Sequence, residues 1–182
     1  PGAPAPFIMA FDHETWGTGT GPDGYRMWEF DVSWTSPGSS TFVALPHITA
    51  PEFDANFCNF NRACIPQKAP GEKLDSLGQF TMYRGMYRNF GTHESIVISH
   101  ATDMANNKKS RAGIRWAEIR DNGSGWVLHQ TGTFSPDTSL SRWLPSIAQD
   151  KQGNIAIGYS VSSSNTFPGI RYATRSAGDA PG

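Results

Sequence analysis

Apolar residues along this chain come in short runs broken by turn residues, and the runs show little strict alternation of polar and apolar positions. That pattern predicts short β-strands in sheets packed on both faces, not amphipathic helices. Three runs, "PFIMAFDH", "GYRMWEFDV" and "STFVALPHIT", lie near the start. "QFTMYRGMYRNFG", "SIVISHAT", "GIRWAEIR" and "GWVLHQTGTF" fill the middle, and "RWLPSIAQDKQG", "NIAIGYSV" and "GIRYATR" follow. Turn chemistry separates them at Ser36-Pro37-Gly38, at Asp121-Asn122-Gly123 and between Asp150 and Gly153.

The runs repeat. Gly113-Ile114-Arg115 opens one strand and Gly169-Ile170-Arg171 opens another, and the strands before them also correspond, with Ser99 on Gly158 and His100 on Tyr159. A more diverged copy places Ala10 and Phe11 in those two slots and puts the run from Gly24 in place of Gly-Ile-Arg. Four short strands recurring at roughly fifty to sixty residues are the signature of a β-propeller, each blade a four-stranded antiparallel meander. A β-sandwich also uses short strands and turns, but it offers no reason for an internal repeat.

The sequence therefore predicts an all-β partial β-propeller of four-stranded antiparallel blades, about two and a half of them. Residues 1–49 are expected to form an incomplete first blade without its innermost strand, and 50–76 a Pro-rich disulfide loop. Residues 77–136 are expected to form a complete blade, and 137–182 a last blade without its outermost strand. Propellers close with four to eight blades, so the remaining blades, from the same or another chain, are expected partners. The sequence starts at Pro1 rather than Met, so the true N-terminus, with any signal peptide, is expected to have been removed or to lie upstream.

Composition narrows the partners. Lys and Arg number 15 against 16 Asp and Glu, which gives no reason to expect a nucleic-acid or anionic-membrane partner. Gly 19, Pro 13 and Phe 11 agree with strands and turns, and no apolar run reaches the length of a membrane span. Cys58 and Cys64 are the only cysteines. Their short Pro- and Asn-rich surroundings predict a local disulfide, hence an oxidising, secreted or extracellular setting. Two thiolates without a neighbouring His or second Cys pair are too few for zinc, and no metal or cofactor is expected.

The stretch from Arg142 to Arg175, together with "CIPQ", "MYRGMYRNFGTHESIV" and "AGIRWAEIR", resembles the sialidase-like (Asp-box-like) propellers of large secreted bacterial and fungal proteins. The resemblance covers most of the chain and implies fold and secretion. It departs from a true sialidase, because the Asp-box is only echoed by Ser146, Asp150 and Gly153 at wider spacing.

The densest polar segment supplies Tyr83, Arg84, Tyr87, Arg88, His93, Glu94 and His100. Against the matching blade, Arg84 replaces Ser146 and Arg88 replaces Asp150, and the extra turn residues bring His93 and Glu94. Departure of one repeat from its sibling toward Tyr, Arg and His is what a grafted site looks like. Arg84 and Arg88 can hold a sugar carboxylate, with Tyr83 and His100 as further substrate-binding groups and Tyr87 or His93 as proton acceptor for a polysaccharide lyase. Alternatively, Glu94 paired with Asp12 or Glu14 gives the two carboxyl groups of a glycoside hydrolase. The same Arg and Tyr also suit inter-blade struts and blade-interface packing. Asp12, His13 and Glu14 are adjacent and are expected to alternate in direction along an extended chain. The ligand class expected is a polysaccharide or glycan, preferably acidic, and the competing class is a non-catalytic extracellular scaffold or adhesion module.

Overall fold

The structure, a computed structural model, describes residues 3–17, 21–78, 80–105 and 111–182. Pro1 and Gln79, which carried expectations above, lie outside the described residues. The chain forms two compact units, Pro1–Glu52 and Phe53–Gly182. Among the described residues all sheets are antiparallel, and none closes on itself. Among the described residues no helix is long and apolar enough to cross a membrane.

In the first unit, β1 (Ala5–Phe11) pairs with β2 (Gly24–Asp31), which pairs on its other side with β3 (Thr41–Ala44) and β4 (Ile48–Thr49). The single strand expected over "STFVALPHIT" is split in two, because Pro46 has no N–H to give to β2. β1 is followed by a one-turn helix, α1 (His13–Trp16), where an extended chain was expected. Asp12 caps that turn, accepting from Thr15 N at 2.8 Å and Thr15 Oγ1 at 2.9 Å.

In the second unit, the short pair β5 (Ala63–Ile65) and β6 (Leu74–Asp75) precedes a meander of β7 (Met86–Asn89), β8 (Glu94–Asp103), β9 (Ala112–Asp121) and β10 (Val127–Phe134). A second meander follows, of β11 (Ser141–Gln149), β12 (Ile155–Ser163) and β13 (Thr166–Arg175). The strand expected from Gln79 is realised only from Met86. Phe80, Tyr83, Arg84 and Gly85 are exposed, and Met82 returns an N–H to β8, at Ser99 O, 2.9 Å away. The turn residues act as expected. Asp121 Oδ1 accepts from Gly123 N and Gly125 N, and Asp150 Oδ1 from Gln152 N and Asn154 N. Gly123 (φ 93°) and Gly153 (φ 89°) take left-handed backbone there, which suits glycine.

The two meanders of the second unit stack. One face of β8 and β9, with Val97, Ile114 and Trp116, packs on Ile147 of β11 and on Ile155, Ile157, Tyr159 and Val161 of β12. Because successive strand residues point to opposite faces, the residues of β12 used here are the repeat equivalents of Ile96, Ile98, His100 and Thr102, not of Val97. The stacking joins unlike faces of like sheets. A second cluster gathers Ile65, Ala101, Ala112 and Trp143 around Cys58 and Cys64. Those cysteines are bonded as expected, with Cα atoms 6.1 Å apart. The bridge does more than close a loop, since both sulfurs sit inside an apolar cluster.

Candidate functional site

The turn joining β7 to β8 and the turn joining β9 to β10 lie side by side, because antiparallel pairing sets Glu94 opposite Asp121. Between them is a hollow of about 390 Å³ lined by Asn89, Thr92, His93, Glu94, Asp121 and Asn122, together with the turn glycines Gly91 and Gly123. Glu94 Oε1 accepts from Tyr87 Oη at 2.8 Å and from Asn89 Nδ2 at 3.4 Å. Asn89 Oδ1 in turn accepts from Gly91 N at 2.7 Å, which shapes the turn. The His93 ring stacks on Phe90 with centroids 4.8 Å apart. Its Nδ1 lies 3.1 Å from Thr92 Oγ1, and its Nε2 has no hydrogen-bond partner among the described residues.

The electrostatics of this hollow are acidic and polar. Partial burial raises the Tyr87 phenol above its usual range, and the neighbouring Glu94 adds to the rise. A phenol shifted in that direction stays protonated and serves as a donor rather than a base. Asp121 Oδ1 is committed to the glycine N–H groups of its own turn. The chemistry on offer is therefore a carboxylate, two amides and a hydroxyl, with the His93 ring, whose Nε2 is buried, as a wall, a set suited to hydroxyl groups of a ligand.

The other residues singled out from sequence fall elsewhere. Tyr83 and Arg84 are exposed on the segment before β7, with the Arg84 guanidinium 5.9 Å from the Tyr83 ring centroid and its Nε donating to Met86 Sδ. Arg88 points to the opposite face of β7 from Tyr87 and donates from Nε to Gln149 O at 3.1 Å, tying the first meander to the second. His100 is buried against Phe53, ring centroids 4.8 Å apart, and its Nδ1 lies 3.1 Å from Ala101 O. The hollow thus receives His93 and Glu94, with Tyr87 attached through Glu94, and neither arginine lines it.

In the first unit, carboxylate oxygens of Asp12, Glu14 and Asp23 all lie within 4.8 Å of one another. Asp12 and Asp23 are buried and hold the α1 turn, Asp23 Oδ1 accepting from His13 N at 2.8 Å. Asp23 was not distinguishable in the sequence from any other acid before a strand.

A second feature escaped sequence reading. Glu118 on β9 is fully buried. Its carboxylate accepts from Arg120 Nε at 2.7 Å, Gln130 Nε2 at 2.5 Å, Gln149 Nε2 at 3.0 Å and Ser95 Oγ at 3.1 Å. Burial pushes its pKa upward, but the hydrogen bonds from Gln130, Gln149 and Arg120, with the Arg120 charge, outweigh that and hold it at about 2. The network crosses from the first meander to the second, since Gln149 belongs to β11. The only sequence signal was Glu118 amid apolar neighbours. No family model, no curated protein and no solved structure matches the chain.

Proposed function

We propose that this chain is the blade-forming part of a secreted β-propeller that binds an extracellular polysaccharide at the hollow between the β7–β8 and β9–β10 turns. The blade arrangement is supported by the stacking of unlike faces of repeated meanders, which suits successive blades better than the two facing sheets of a sandwich. Secretion is supported by the Cys58–Cys64 disulfide. The functional reading is carried by one observation: Glu94, oriented by Tyr87 and Asn89, shares the hollow with His93.

The geometry favours binding over cleavage, since Tyr87 is shifted away from base chemistry and the two arginines do not converge on the hollow. The acidic lining of the hollow favours a neutral glycan over the acidic one expected from the sequence, since Arg84 lies outside it beside Tyr83. The role of a scaffold or adhesion module without catalysis is favoured by Arg88, whose bond to Gln149 O makes it a strut between meanders.

Equilibrium binding of the full chain to neutral and uronate-containing polysaccharides tests this, with lyase products followed by ultraviolet absorbance. Glu94→Gln should weaken binding by about tenfold or more, the worth of a hydrogen bond to a charged group, and His93→Ala, which removes a wall of the hollow, should weaken it as well. Affinity unchanged in both variants would remove the hollow as the site.

A further inference from the structure

The repeat exposes a mismatch of burial between equivalent residues. Ile114 and Trp116 on β9 are 0% and 6% exposed because the second meander covers them. Their equivalents on β13, Ile170 and Tyr172, are 87% and 79% exposed. Register places Ile170 opposite Ser160 and Tyr172 opposite Gly158, and β11 sets Ser146 opposite Gly158 and Ala148 opposite Ala156. The uncovered face of the second meander is therefore a floor of small residues, Ala148, Ala156 and Gly158, beside two bare large ones. In the first meander the same face is the one that receives a row of large side chains.

The first unit shows the opposite half. Phe7 and Met9 on β1 occupy the repeat positions of Ile96 and Ile98, which are buried, as their β12 equivalents Ile155 and Ile157 are under the stacked meanders. Phe7 and Met9 are instead 49% and 39% exposed. Around Phe7 the same face gathers Phe30 and Phe42, with ring centroids 6.4 and 5.5 Å from it, and Trp28 stacks on Phe42 at 6.2 Å. One face thus offers bulk, and the other offers the small-residue bed that accepts bulk within this chain. Exposed apolar faces of this kind mark interaction surfaces.

We propose that the uncovered β11–β12–β13 face docks the Phe7/Phe42 face of a second copy of this chain, continuing between molecules the stacking that already joins the two meanders within one. The contact is head-to-tail, so it uses different faces on the two partners and extends into a ring or a chain rather than stopping at a symmetric pair. A face three strands wide is small among specific interfaces and supports weak, concentration-dependent association.

The test is sedimentation equilibrium of the full chain from about 5 to about 500 µM, a range that brackets the weak affinities of small interfaces. Gly158→Arg blocks one face, and a Cβ there meets nothing within 4 Å in the isolated chain, so the substitution starts in open space. Phe7→Arg blocks the other. Tyr172→Arg repeats the first block from a neighbouring exposed position, and circular dichroism verifies folding of all three. The expected result is average mass rising with concentration for the unmodified chain, monomers for each variant alone, and a one-to-one dimer when Gly158→Arg and Phe7→Arg are mixed. That mixture rescues only a head-to-tail contact, because each variant retains the face the other has lost. A monomeric unmodified chain across the range, or association of the single variants, or a mixture that stays monomeric, would overturn the proposal.

Discussion

Replacing Glu118 by Gln removes one charge from the centre of the network between the two meanders and changes almost no volume. Glu118 titrates at about 2 in the folded chain against an ordinary 4.5. A depressed carboxyl pKa contributes stability that is fully present above the unfolded value and is lost as pH falls through the folded one. At 1.36 kcal/mol per unit, that shift corresponds to about 3 kcal/mol at pH 7 and about 1.5 kcal/mol at pH 3. The neutral amide also turns an N–H group toward Gln130, Gln149 and Arg120, which are themselves donors to this position. Urea unfolding of the unmodified and Glu118→Gln chains at pH 7, 5, 4 and 3 measures the difference directly, and comparing the two cancels the other titrating groups. The gap should be constant above the unfolded pKa and should narrow by about half by pH 3. A gap below about 0.5 kcal/mol at pH 7, or one that does not change with pH, would show that the carboxylate does not stabilise the stacked meanders through its charge.

Three other variants probe separate parts of the fold. Cys58→Ser with Cys64→Ser should cost about 2 kcal/mol from loop closure, and more because both positions pack with Ile65 and Trp143; denaturant unfolding with and without reductant measures it, and an effect under about 1 kcal/mol refutes the contribution. Asp137, its carboxyl held well below the usual range chiefly by the Arg142 guanidinium, also accepts from the N–H groups of Ser139 and Leu140. Arg142 is buried but Asp137 is 38% exposed, so solvent screens the pair, and Asp137→Asn should cost roughly 1 kcal/mol in urea unfolding. Arg88→Ala should lower the melting temperature through loss of the bond to Gln149 O, while leaving glycan affinity unchanged; weakened binding with an unchanged melting temperature would return Arg88 to the ligand site.

Strand positions, turns and the disulfide were legible in the sequence because their causes act over a few residues. Apolar runs between Asp121 and Gly125 or between Asp150 and Gly153 end where an aspartate side chain can satisfy the turn's own N–H groups. Cys58 and Cys64 had no other thiol to meet. Repetition carried the reading further, since a second copy of a strand reports its neighbours as well as itself; eight of the ten expected runs form single strands, while one is divided between β3 and β4 and the run from Gln79 pairs only from Met86.

Partnerships across sheets were decided by the tertiary structure. Arg88 and Tyr87 are adjacent in sequence, yet strand alternation sends one toward Gln149 and the other toward Glu94. Glu118 gains Gln149 only because β11 stacks on β8 and β9. Asp12 and Asp23 become neighbours only through the chain reversal between β1 and β2. A buried charge is tolerable only where donors from distant segments converge, and no local pattern encodes that convergence. The sequence determined which segments are strands and which turns join them; the stacking of those sheets determined which polar side chains became struts and which were left to line a hollow.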